Sequence, residues 1–444
     1  MRAHHGMRTG LAIAAILTVA TPASATATFS TTPTLISLGS QTLNTFDIST
    51  FNPATGLFYL GDRTNAGISA WNLNSNSFIG TIGAGQFTGA TGNNATSGAD
   101  GTAVFTTNPA SGTPVTLVLG GDGNSTVKAY SISGSGTSLG NYSSNPVYTV
   151  NTGLPGIPAN SVGSGPGNNR ADEMAYDPVH NNVLVANNAG QPVPFTTLFN
   201  ASTGAVISQV LFNGANNTPN ATGNSIEAST YDPAKDVFWL AIPQIGPSAS
   251  DPGGLSEVNA ATGAVIATFG FPVGACSPTG VAITGNTVAV GCSATDSQTL
   301  LFDTNTHAFT SLPYSGSDAV TYDAAINAFL LSGANYTVGN SPTGAADPSF
   351  AIIDAGTDTI SQIIATSIGN DHSIDGGNGI IGVPFTGGPL SQCVNGCLAV
   401  FTEVAEPGTL PIMLTAMAGL VGFGVVRQRW CMCGRPLGCK GSAA

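Results

Sequence analysis

The residues with the most chemical potential in this chain are carboxylates that recur at one kind of position. Asp47, Asp100, Asp172-Glu173, Glu227, Asp318 and Asp371-His372 each stand just ahead of a short run rich in β-branched and aromatic residues, and Ser277 holds that place once. If those runs converge in space, oxygen ligands from distant parts of the chain meet, which suits a divalent cation. Glu173, Glu227, Asp318 and His372 are the residues placed to hold such a cation or a small polar ligand. His372, alone among five histidines in such a position, would add a transition-metal ligand or a general base. The same side chains can instead bond neighbouring turns or line a water-filled channel, and the sequence leaves both readings open. Arg170, just ahead of Asp172-Glu173, is a competing neutraliser that would make the place a salt-bridged plug.

Sulfur chemistry is the second candidate. Cys276 and Cys292 flank two apolar runs joined by the Gly285-Asn286 turn, so hairpin pairing brings them together. Cys393 and Cys397 bracket the tight turn Val394-Asn395-Gly396. Two local disulfides are expected in an oxidising compartment, with a metal site as the competing reading. Cys431, Cys433 and Cys439 make an incomplete zinc set and read as reduced bystanders. Gly136-Thr137-Ser138-Leu139-Gly140 matches G-x-S-x-G, but a nucleophile elbow needs a strand before it and a helix after it, and neither is visible.

The elements that must position these residues are short strands and turns. Residues 171–207 give four apolar runs punctuated by Asp177-Pro178, Asn181-Asn182, the turn at 187–190 and Ser202-Thr203-Gly204. Four antiparallel strands form one sheet that cannot bury both faces alone. The phrase returns at 46–82, 100–150, 224–271, 276–314, 317–366 and 370–403. Seven such copies without a sustained 3.6-residue apolar period predict an all-β, seven-bladed β-propeller spanning residues 26–404, with a two-sheet sandwich as the alternative. The last copy offers three strands, while residues 32–38 form a strand without a blade. Joining the two closes the ring and removes two exposed edges. Residues 131–169, rich in Gly, Ser and Asn, read as a long surface excursion.

Tyr176-Asp177-Pro178 with VLVANN at 183–188, VNAATGAVIAT at 258–268 and IIDAGTD at 352–358 resemble YVTN-type propeller repeats of the YncE-like family. The resemblance implies a propeller over most of residues 46–404. It leaves function open, because binding proteins and lactonase-like enzymes share this architecture. Glu406-Pro407-Gly408-Thr409, the apolar residues 410–426 and the trailing Arg427 and Arg429 are similar to a PEP-CTERM sorting signal, which implies an exosortase-type processing enzyme as a partner. A plain C-terminal membrane helix is the alternative, since seventeen apolar residues just suffice to span a bilayer. Residues 431–444 follow as a Cys-containing tail. At the other end, Arg2 and Arg8, the apolar run 11–20 and Ala23-Ser24-Ala25 read as a secretory signal peptide over residues 1–25.

Charge narrows the partners. All 23 Asp and Glu lie between Asp47 and Glu406, where only Arg63, Lys128, Arg170 and Lys235 are basic, a net of −19 for that span. Phosphate backbones need clustered Lys and Arg, so nucleic acid is excluded. The reading is an exported, surface-associated propeller that binds an extracellular partner or small ligand without catalysis. Its alternative is a metal-assisted hydrolase of lactonase type at the channel mouth. The sequence establishes no cofactor; a divalent cation in the central channel is the candidate, and a measurement of metal bound to the purified protein separates the two readings.

Overall fold

In the computed structural model the chain forms seven four-stranded antiparallel sheets. The structure describes residues 27–404, apart from 155–169, 189–192, 222–224, 249, 294–295, 297, 342, 367–371 and 389–392. Residues 1–25, read from the sequence as a signal peptide, the segment carrying Glu406, Pro407, Arg427 and Arg429, the tail cysteines and Asp371 lie outside the described residues. No helix among the described residues is long and apolar enough to cross a membrane.

The innermost strands of blades 1 to 7 are Ser49–Asn52, Thr102–Thr106, Met174–Asp177, Ser229–Asp232, Pro278–Thr284, Val320–Asp323 and Asp375–Gly377. Each lies against the inner strands of both neighbouring blades, so the seven make a closed ring. The architecture is a seven-bladed β-propeller. Local chemistry explains the inner hairpins. In blades 3, 4 and 6 the last residue of the inner strand, Asp177, Asp232 or Asp323, turns its carboxylate back onto the amide two residues ahead. Asn181, Asp236 and Asn327 then take the left-handed backbone that completes the turn.

The core consists of seven apolar seams, one between each pair of adjacent blades. Trp239, for example, packs between blades 4 and 5 with Val281, Val288 and Phe302. Blade 7 is completed from the other end of the chain, as its missing strand required. Thr34–Ser37 pairs antiparallel with Cys397–Thr402, setting Ile36 opposite Leu398, and Phe29 bridges to Glu403. Both expected disulfides form. Cys276–Cys292 joins the approach and the second strand of blade 5 across a Cα–Cα distance of 5.1 Å. Cys393–Cys397 spans 5.7 Å beside the closing strand.

One segment corrects the sequence reading. Residues 131–154 are not a surface excursion: Tyr148–Asn151 is the outer strand of blade 2, hydrogen-bonded to Thr126–Ala129. The surrounding Gly, Ser and Asn hid it because the strand is only four residues long, with Val150 buried and Tyr148 packed against the same seam. The G-x-S-x-G run is a single turn of 3-10 helix at Leu139–Asn141, with Ser138 donating to Asn141 Oδ1. It offers no elbow.

Candidate functional site at the channel mouth

The recurrent carboxylates converge as the spacing implied. Asp47, Asp100, Asp172, Glu227 and Asp318 each stand two residues ahead of an inner strand, and Glu173 stands one ahead. The backbone amides of Asp47, Asp100, Asp172 and Glu227 donate to the carbonyls of Gly61, Gly121, Ala186 and Ala241 on the second strand of the same blade. That repeated bond fixes the side chain at the same end of blades 1 to 4. Small residues are needed on the second strands, since a methyl group on Gly61 would strike the carbonyl of Asp100 in the next blade. Blade 5 offers no carboxylate here: Ser277 stands just ahead of Pro278–Thr284, and its hydroxyl donates to the Pro243 carbonyl.

An open cavity of about 260 Å³ is lined by Asp47, Arg63, Asn94, Arg170, Asp172, Glu173, Glu227, Asp318, Asn335 and His372. All four residues singled out from the sequence, Glu173, Glu227, Asp318 and His372, therefore line one cavity. Their surroundings differ. One oxygen each of Asp172, Glu173 and Glu227 lies within 4.8 Å of the others. Asp318 and His372 fall outside that group. The His372 ring stacks on Phe46 with centroids 4.8 Å apart, and its Nε2 is 3.4 Å from Asp47 Oδ1. Its carbonyl accepts from Ser332 Oγ at 2.7 Å and from the Ala319 amide, so blade 6 holds the residue in place.

Sequence reasoning missed Arg63, Asn94 and Asn188. Arg63 Nη2 reaches Asp47 Oδ2 at 2.7 Å and Asp100 Oδ1 at 2.6 Å, while Nη1 donates to Asn94 Oδ1 at 2.8 Å. Arg170, expected as a neutraliser, acts as one: Nη2 lies 2.8 Å from Asp172 Oδ2, and Nη1 is 3.6 Å from Asp47. Asn188 accepts from Arg170 Nε at 2.9 Å and donates to Asp172 Oδ2 at 2.5 Å and Glu227 Oε2 at 3.3 Å. The available signal was scarcity. Arg63 is one of four basic residues in the span from Asp47 to Glu406, and it follows a second strand at the level of the acidic residues.

The charges do not balance. Six carboxylates share this mouth with two guanidinium groups, and Asp47, Asp100 and Asp172 take both. Burial pushes Asp47 up, but Arg63, with His372 and Arg170 behind it, holds the carboxyl far below the usual range. The others go the opposite way. Burial, reinforced by Glu227, lifts Glu173 well above a normal glutamate. Burial opposed by Arg170 leaves Asp172 well above its ordinary value, and burial opposed by His372 raises Asp318. Burial, only partly countered by Arg170, brings Glu227 to about 7. Buried oxygens without donors favour either protons or a bound cation. Asp172 Oδ1 and Glu173 Oε2 are such atoms, buried and without a hydrogen-bond partner.

The fold and site together define a seven-bladed propeller with an anionic pocket at one channel mouth. No protein-family model matches the sequence, and no curated protein matches it.

Proposed function

We propose that this protein is an exported, surface-associated binding propeller of YncE-like type, holding a positively charged ligand at its channel mouth without catalysis. The observation that carries the reading is the excess of carboxylates over guanidinium groups in one open pocket, with Glu173, Glu227 and Asp318 left outside the arginine pairs. Buried like charges at close quarters are costly unless protons or a cation enter. Among the described residues lining the cavity there is no serine, threonine or cysteine to act as a nucleophile. Export is supported by the leader-like residues 1–25, and by two disulfides of the kind that persist in oxidising compartments. The sorting-signal resemblance around Glu406, Pro407, Arg427 and Arg429 supports surface delivery through an exosortase-type enzyme.

The test is thermal unfolding against a panel of small cations, spermidine and lysine among them, and divalent metals. At least one raises Tm in the wild type and fails to do so in the Glu173→Gln/Glu227→Gln double variant. If no member shifts Tm, or all shift both proteins alike, the reading falls. A second reading, a metal-assisted hydrolase of lactonase type, draws support from Glu227, whose value of about 7 suits a general base at neutral pH. It requires ester or lactone hydrolysis that disappears in Glu227→Gln.

A further inference from the structure

We propose that Asp172, Glu173 and Glu227 bind a calcium ion at the channel mouth, the ion being the positive charge that the binding reading calls for and on which this inference rests. The oxygens that these three carboxylates contribute lie within 4.8 Å of one another. Calcium bonds its ligands at about 2.3–2.6 Å, so neighbouring ligand oxygens lie within roughly 5 Å. One ion can touch all three without rebuilding the site.

A second observation is independent of the clustering. Asp172 is 1 % exposed and Glu173 9 %, and each keeps one oxygen, Oδ1 and Oε2, buried with no donor. Buried polar atoms almost always have partners, and a carboxylate oxygen without one is among the costliest exceptions. The other oxygen of Asp172 is fully used, taking Arg170 Nη2 at 2.8 Å and Asn188 Nδ2 at 2.5 Å. Arg170 and Asn188 thus fix the carboxylate and leave Oδ1 unused. Asn188 also reaches Glu227 Oε2, and the Ser225 hydroxyl donates to Glu227 Oε1, so a third ligand is oriented by its neighbours. Such partners behind a ligand are what hold a metal site in shape.

The donor set selects the ion. It is all oxygen and wholly anionic, which favours a hard cation over zinc. His372, the one nitrogen ligand lining the cavity, is engaged with Asp47 and stacked on Phe46. Three carboxylates from two blades, with open cavity beyond them, suit the variable coordination of calcium better than the strict octahedron of magnesium. A second cluster among the described residues, Asp177, His180 and Asp236, differs in kind. Asp177 takes the amides of Val179 and His180 and the His180 ring, and Tyr231 donates to Asp236. Its oxygens already have partners, which makes it a control.

Calorimetric titration of the metal-stripped chain with calcium, magnesium and zinc tests the site. One calcium per chain is expected, bound more tightly than magnesium or zinc. Glu173→Gln and Glu227→Gln should each weaken it by at least about tenfold, while Asp236→Asn should leave it unchanged. Both glutamine variants relieve repulsion, so their metal-free Tm should equal or exceed that of the wild type. No calcium heat, or unchanged affinity in both variants, overturns the site. Should a variant fail to fold, manganese-soaked wild-type crystals decide by the presence or absence of an anomalous peak among the three carboxylates. Spermidine or lysine binding that depends on the two glutamates, without calcium binding, removes this inference and leaves the binding reading standing; if neither binds, both fall.

Discussion

Closure of the ring by Thr34–Ser37 can be tested residue by residue, because the strand alternates. Ile36 and Leu38 are 5 % and 2 % exposed and pack with Phe46, Phe58, Trp71, Leu398 and Val400 in the seam between blades 7 and 1. Leu35, just ahead of them in sequence, is 42 % exposed on the other face. Truncating a buried Ile or Leu to Ala costs about 2–5 kcal/mol through lost burial and the cavity left behind. Ile36→Ala and Leu38→Ala together should therefore remove about 4–10 kcal/mol, against a total of about 5–15 for a typical domain. Leu35→Ala should stay within about 0.5 kcal/mol of the wild type. The assay is urea unfolding of the three single variants and the double variant, with amide exchange read across Cys397–Thr402, the strand paired with this one. Exchange there should accelerate in the Ile36 and Leu38 variants alone. Equal stability of the three single variants, or a Leu35 effect as large as that of Ile36, would show that the strand does not close the ring. Deleting residues 32–38 altogether should expose two strand edges and drive aggregation. A deletion that stays monomeric with an unchanged Tm would likewise rule out closure by this strand.

Arg63→Met strands Asp47 and Asp100 beside one another in the interior and should cost roughly 3–5 kcal/mol in urea unfolding; a loss below about 1 kcal/mol contradicts the ion-pair account. Asp375 gives a pH signature. Burial lifts it from 3.8 to about 7, so the folded chain holds its proton more tightly than the unfolded chain. The stability it contributes is complete below pH 3.8 and is lost as pH rises through about 7, a change of about 4 kcal/mol. Asp375→Asn should flatten that part of the profile, and parallel profiles for the two proteins would refute the assignment. Opening Cys276–Cys292 by serine substitution should cost about 3 kcal/mol, and opening the shorter Cys393–Cys397 loop about 2 kcal/mol. The reverse order in thermal unfolding would mean that loop closure is not the main effect.

Much of this protein was legible in the chain because its information is local and repeated. The Asp177-Pro178 and Tyr231-Asp232-Pro233 turns each encode a hairpin within a few residues, and seven returns of one phrase leave few ways to bury the sheets. The surplus strand at one end and the deficit at the other implied the closure by counting alone. Both disulfides followed from hairpin register, since their partners are 16 and 4 residues apart. Tyr148–Asn151 escaped because two inward residues, Tyr148 and Val150, are too short a pattern to stand out beside a Gly-, Ser- and Asn-rich stretch.

The sequence determined the shape and the ring of carboxylates, because each depends on a pattern that one blade carries by itself, and the closure, because strands can be counted along the chain. Which of those carboxylates are paired was decided only by the tertiary structure. Arg63 of blade 1 spans to Asp100 of blade 2, and Asn188 of blade 3 to Glu227 of blade 4. Such contacts cross between blades whose separation along the chain is large and unpatterned. Burial, the effect that lifts Glu173 and Glu227, likewise exists only once seven inner strands converge and remove water from the groups between them.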